Sequence, residues 1–167
     1  VDIMEIDGFE ADDLIGTLSL KAEEAGDEVY ILSGDKDTLQ LASDKTKVVI
    51  TKKGVSIVDT YDEKAFIEEY GITPTQFIDV KGLMGDASDN IKGVKGIGEK
   101  TAFKLIKEYG SIENTLNHVD EITMKKVREN LITYREDAIF SKRLATIVRD
   151  VPIELNFDDL RSAENYD

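Results

Sequence analysis

Seven carboxylates in the 167-residue chain fall into three short groups. Glu10, Asp12 and Asp13 stand at the mouth of a helical pattern. Asp35 and Asp37 follow an apolar run, and Asp86 and Asp89 lie in the turn-rich segment Gly85-Asp86-Ala87-Ser88-Asp89-Asn90. Clusters that offer only oxygen suit hard divalent cations such as Mg²⁺ and Mn²⁺, which take carboxylate and water ligands. Zinc is disfavoured, because the chain has no cysteine and a single histidine, His118. The calcium-loop template fails as well: Gln40 stands where a loop opening at Asp35 needs its sixth-position glycine. Each group also has an ordinary explanation. Acids in a first turn complement the helix dipole, and Asp, Ser and Asn in loops bond their own backbone. Asp35 and Asp37 are hardest to explain that way, since ligands gather at the carboxyl ends of strands in open parallel sheets.

A second chemical candidate is Gly93-Val94-Lys95-Gly96-Ile97-Gly98-Glu99-Lys100-Thr101. It is not a Walker A loop, because Glu99 separates the last glycine from Lys100-Thr101 and the preceding segment reads as helix. What remains is a tight Gly-Ile-Gly hairpin opening a helix, with Lys92, Lys95, Lys100, Lys104 and Lys107 nearby. Backbone amides at a helix N-terminus flanked by lysines make a phosphate site without base readout. A glycine-rich connection with solvated lysines is the plainer alternative. No G-x-S-x-G nucleophile elbow occurs, and His118 lies alone in a helical segment, which suits a surface or core role.

These residues need elements to hold them. Alternation of apolar and acidic residues over 1–6 predicts a short strand, and apolar residues at Ala11, Leu14, Ile15, Leu18, Ala22 and Ala25 predict a helix that stops at Gly26. The run Val29-Tyr30-Ile31-Leu32 reads as a buried parallel strand, so the opening is a βαβ unit. A short helix near 37–42 and strands over 47–51 and 55–58, turning through Lys53-Gly54, complete this part. Beyond it the strand signals cease. Helices are expected at 62–70, 73–85, 99–109, 111–117, 123–133 and 135–147, with Thr73 as cap before Pro74. The fold class is therefore α/β: a partial parallel or mixed sheet with helices over 1–61, an all-helical cluster over 62–150, and a departing linker over 151–167.

Charge sharpens the functional classes. The net charge is −14, which by itself argues against a nucleic-acid partner. Its distribution argues otherwise: residues 1–91 carry −13, residues 92–135 carry +3, and 136–167 carry −4. No apolar run approaches the ~20 residues of a membrane span, so no membrane partner is expected. The absence of cysteine excludes a disulfide scaffold and suits the cytosol.

Taken together, the motifs resemble the 5′-nuclease (5′→3′ exonuclease, flap endonuclease-like) domain of bacterial DNA polymerase I. The matching stretches are Gly8-Phe9-Glu10-Ala11-Asp12-Asp13, Gly34-Asp35-Lys36-Asp37, residues 83–91, residues 93–102 and Lys126-Val127-Arg128-Glu129-Asn130-Leu131. They stand in the family's order over residues 1–153. The resemblance implies two divalent ions, Mg²⁺ or Mn²⁺, held by Glu10, Asp12, Asp13, Asp35, Asp37, Asp86 and Asp89 for phosphodiester hydrolysis at 5′ flaps, nicks or primers. It also implies a helix-hairpin-helix that grips duplex phosphates through Lys92, Gly93, Lys95, Gly96, Ile97, Gly98, Lys100, Thr101 and Lys104, with K⁺ at the hairpin carbonyls. The family domain begins with a further N-terminal segment carrying more ligands, so alone this chain is expected to bind branched DNA weakly and cleave little or nothing. Expected partners are DNA, that N-terminal segment and a downstream polymerase module, in a bacterial cytoplasm near the nucleoid. The alternative is a non-catalytic fragment that binds duplex backbone through the hairpin.

Overall fold

The computed structural model describes residues 2–52 and 57–161. Helix α1 (Ala11–Glu24) leads through a glycine turn to strand β1 (Val29–Ser33). A 3₁₀ turn over Lys36–Leu41 then carries the chain to β2 (Thr46–Thr51) and β3 (Val58–Tyr61). β1 pairs parallel with β2, aligning Ile31 with Val48, and β2 pairs antiparallel with β3, giving a three-stranded mixed sheet. Nine of the residues aligned in that sheet are β-branched valine, isoleucine or threonine, the types that pack well on a pleated surface.

The rest is helical: α2 (Glu63–Tyr70), α3 (Gln76–Met84), α4 (Glu99–Tyr109), α5 (Ile112–Asn117), α6 (Lys125–Thr133) and α7 (Arg135–Ala145). Sheet and helices share one core, in which Ile31, Val48 and Ile50 continue into Phe66, Val80, Leu83, Leu105 and Leu131. Phe66 meets Phe77 edge to face with ring centroids 5.7 Å apart, which ties α2 to α3. At Gly82 the backbones of α3 and α7 come so close that a Cβ would lie 2.9 Å from the Lys142 Cα.

The mixed α/β class holds, and four local expectations are corrected. Residues 2–6 form no strand; Ile3 is 95% exposed, while Met4 and Ile6 pack instead on Leu14, Val151 and Ile153. Without a strand beside it, β1 is an edge strand rather than a fully buried one, and Tyr30 and Leu32 are 63% and 66% exposed. α3 starts at Gln76 rather than 73, because Thr73 and Gln76 bond reciprocally (Thr73 N–H to Gln76 Oε1 at 2.8 Å) and hold the Pro74 turn outside the helix. Residues from 151 do not simply depart: Val151 and Ile153 are buried against α1, and Phe157–Leu160 forms a 3₁₀ turn. The third strand begins at Val58, and the expected Lys53-Gly54 turn and the start of the 55–58 strand lie outside the described residues.

Candidate metal and nucleic-acid site

The chain after α7 closes one side of an acidic cavity. Gln40 uses both ends of its amide there, donating to the Ala145 carbonyl and accepting from Ile147 N–H, each at 3.0 Å. Asp13 Oδ1 accepts from Val148 N–H at 2.9 Å, and Arg149 Nε donates to the Gly16 carbonyl at 3.0 Å. Gly16 is required at that crossing, since a Cβ would meet the Ile147 side chain at 2.7 Å. α1, the 3₁₀ turn and the post-α7 segment are thus pinned together around a cavity of about 460 Å³.

Glu10, Asp12, Asp13, Asp35, Asp37 and Asp89 line this cavity, with Ser88, Asn90 and Thr146. Asp86 stands beside it: one carboxylate oxygen from each of Asp37, Asp86 and Asp89 lies within 4.8 Å of the others. The fold therefore brings all three acidic groups to one place, although they are spread over 80 positions of sequence. Their engagements differ. Asp13 is committed, since its second oxygen accepts from Glu10 N–H at 3.2 Å, the capping role that first-turn acids often take. Asp35 caps the 3₁₀ turn by accepting from Asp37 N–H at 2.9 Å. Asp86 accepts from Ser88 N–H at 2.9 Å, in a loop closed by paired backbone bonds between Asp86 and Ile91.

Electrostatics separates the acids further. Burial pushes the Asp12 carboxyl up from its ordinary value, and the carboxylates of Asp35, Asp37, Glu10 and Asp13 push the same way. Burial also raises Asp37, although Lys81 opposes it. Asp86 is held well below the usual carboxylate range, first by its hydrogen bond from Lys81 and then by that from Ser88. Lys81 was not foreseen. Its side chain is 7% exposed, and Nζ lies 2.6 Å from Asp37 Oδ1, 2.6 Å from Asp86 Oδ2 and 4.0 Å from Asp89 Oδ2. The available signal was a lone lysine inside the apolar helix sequence Phe77-Ile78-Asp79-Val80-Lys81-Gly82-Leu83.

The donor set fits a hard divalent ion, since it offers only oxygens and already holds a cation, the Lys81 ammonium, between them.

The glycine hairpin abuts this loop. Gly85 and Gly93 both have positive φ, +73° and +64°, and their backbones cross so closely that a Cβ on Gly93 would lie 2.4 Å from the Gly85 nitrogen. Gly93 N–H donates to Ser141 Oγ at 2.9 Å, and Val94 N–H donates to the Leu83 carbonyl at 2.8 Å. Gly96, at φ +82°, faces the Asn130 side chain of α6. Lys92, Lys95, Gly96, Gly98, Lys100 and Lys104 of the hairpin and α4 are exposed, and Thr101 is half-buried. Gly93 and Ile97 are buried: Gly93 N–H is already bonded to Ser141, and the Ile97 side chain packs in the core. His118 is exposed and stacks on Tyr109, which accords with a surface role.

Residues 1–71 match the family model described as 5′-3′ exonuclease, N-terminal resolvase-like domain, and residues 72–167 match that of the 5′-3′ exonuclease, C-terminal SAM fold. DNA polymerase I of Bacillus caldotenax is 53% identical over 156 residues, and that of Bacillus subtilis is equally similar. The match takes in 93% of this chain but 18% of those polymerases, so the chain spans under a fifth of their length. Among solved structures, the zinc-bound T5 5′-exonuclease superposes with a TM-score of 0.76 at 27% identity, covering 87% of this chain and 52% of the other. A bacteriophage T5 flap endonuclease in complex with DNA and metal ions superposes at 0.75, with the same identity and coverage. This chain belongs to the 5′-3′ exonuclease family.

Proposed function

We propose that the chain is part of a divalent-metal-dependent, structure-specific 5′-nuclease that hydrolyses phosphodiester bonds at 5′ flaps, nicks or primers. One observation carries this reading: seven acids from three groups distant in sequence converge on or beside a cavity walled by the loop that crosses the lysine-flanked hairpin. Two Mg²⁺ or Mn²⁺ ions held there would supply charge stabilisation to the attacking and leaving oxygens of an in-line displacement. Asp12, Asp35, Asp37, Asp86 and Asp89 would hold them, with Glu10 beside them in the cavity lining and Asp13, whose two oxygens accept backbone N–H bonds, steering α1. Lys92, Lys95, Lys100 and Lys104 contact duplex phosphates, Gly96 and Gly98 let the backbone approach them, and hairpin carbonyls take K⁺.

The partners are branched or nicked DNA, a preceding segment of the same protein that completes the ligand set, and a downstream polymerase module, in the cytoplasm near the nucleoid. No described helix is long and apolar enough to cross a membrane. The decisive experiment measures Mg²⁺ binding by the wild-type chain and by Asp35→Asn with Asp86→Asn. Wild-type binding lost in the double variant is expected; equal binding overturns the metal reading. For the hairpin, Lys100→Ala is expected to weaken binding to nicked duplex similarly across sequences, with a shallower salt dependence. Sequence-dependent loss would count against a phosphate contact.

A further inference from the structure

Lys81 occupies the place where a cation belongs. Its Nζ touches Asp37 and Asp86 at 2.6 Å and lies 4.0 Å from Asp89, the three acids whose oxygens cluster most tightly. Among the described residues, no other lysine or arginine pairs with any of the seven acids. The backbone that carries it is fixed, because Val80 and Leu83 are fully buried on either side and Gly82 is pressed against α7. The side chain therefore has to move by its own torsions, since α3 leaves no room to shift.

A divalent ion bound through Asp37 Oδ1 and Asp86 Oδ2, the oxygens that now accept from the ammonium, would sit about 2.0–2.6 Å from them. Nζ is 2.6 Å from both. The two cations cannot share that position. We propose that Lys81 is a built-in counter-ion for this trio, and that divalent-ion binding at Asp37, Asp86 and Asp89 is an exchange in which the ammonium is displaced into the cavity. The inference rests on the reading that the acids hold divalent ions. It adds that the chain carries its own competitor, which keeps the acids in place while the ion is absent and weakens ion binding when it arrives.

The test compares Mn²⁺ binding by the 167-residue wild type and Lys81→Met, read from the free-ion electron paramagnetic resonance signal. Exchange predicts that Lys81→Met binds Mn²⁺ tighter by about tenfold or more, since the competitor is gone. Equal or weaker binding in the variant overturns the proposal. Lys81→Met leaves three acids uncompensated and could fail to fold, so a second measurement uses the wild type. In ¹⁵N-lysine spectra the paired Lys81 ammonium is expected as a protected resonance that loses protection when Mg²⁺ is added. A resonance that stays unchanged while the Asp86 carboxyl carbon shifts also overturns exchange. If neither chain binds Mn²⁺, both this proposal and the metal reading fall. If both bind with equal affinity, only the exchange falls.

Discussion

Two lysines in this chain are drawn out of water by pairs of acids, and their surroundings differ. Lys142 on α7 lies 2.7 Å from Asp79, a buried acid of α3, and 2.9 Å from Glu113 on α5. Asp79 Oδ1 also accepts from Ile112 N–H at 2.9 Å, so one oxygen ties Lys142 and the start of α5 together inside the helical packing. Lys81 on α3 has two acids at 2.6 Å, but beyond them lie five further carboxylates and an open cavity. In each case burial alone would depress the lysine, and its acid partners outweigh burial to raise it. The pairwise chemistry is the same. What separates a structural tie from a site is the charge left over: one lysine for two acids closes on itself, whereas one lysine for seven leaves a cluster that still needs positive charge.

The largest test of that contrast is Lys142→Met. It strands the Asp79 carboxylate in the packing with one N–H partner, and breaking a buried pair costs about 3–5 kcal/mol. We expect a loss near 4 kcal/mol in urea unfolding that Mg²⁺ does not restore. Restoration by Mg²⁺ would erase the distinction between the two lysines. Next comes Gly93→Ala, which tests whether the two clusters share one scaffold. Gly93 sits between them, its N–H on Ser141 beside Lys142 and its α-carbon against the loop of Asp86. A methyl 2.4 Å from a backbone nitrogen, at φ +64°, cannot be relieved by a rotamer change. Overpacking plus left-handed strain should cost about 3 kcal/mol. Loss within 0.5 kcal/mol, read the same way, would mean the crossing is soft.

This difference between the lysines also marks what the sequence could disclose. All seven α-helices and two of the strands of the described residues were legible within about three residues, because periodicity and glycine stops are local signals. The clustering of seven acids was legible as composition of loops, and the resemblance supplied its meaning. Lys81 was legible only as an oddity, a lone lysine in the apolar α3 sequence, whereas Lys142 stands among other charges of α7; what faces either lysine is decided by the tertiary fold. The opening strand failed for a related reason. Alternation over 1–6 is a fair strand pattern, yet a strand needs a partner edge, and Met4 and Ile6 found the apolar face of α1 with Val151 and Ile153 instead.

Asp12→Asn measures the surplus charge directly. Burial and four neighbouring acids raise the Asp12 pKa in the folded chain, so its ionised form opposes folding at neutral pH. Neutralising it should stabilise the metal-free chain by about 1 kcal/mol while weakening Mn²⁺ binding, the opposed signs expected of a residue kept for function. If the variant is destabilised, the acidic cavity is not the over-charged cluster that the contrast with Lys142 requires.

The smallest effect belongs to the closed cluster. Glu113 is partly buried, which would raise it, but the hydrogen bond from Lys142 and the backbone at the start of α5 outweigh burial and hold it below its ordinary value of 4.5. A depressed carboxylate lends stability that is complete above that ordinary value and is lost as pH falls through the lower, folded one. Its side chain is about half exposed, so solvent screening limits the contribution to about 0.5 kcal/mol. Glu113→Gln should therefore unfold slightly earlier than wild type at neutral pH, with the gap closing in acid and unchanged by Mg²⁺. Thermal unfolding followed across pH checks this. A gap that widens in acid, or that responds to Mg²⁺, would place Glu113 in the open cluster's company and would leave the two lysines alike.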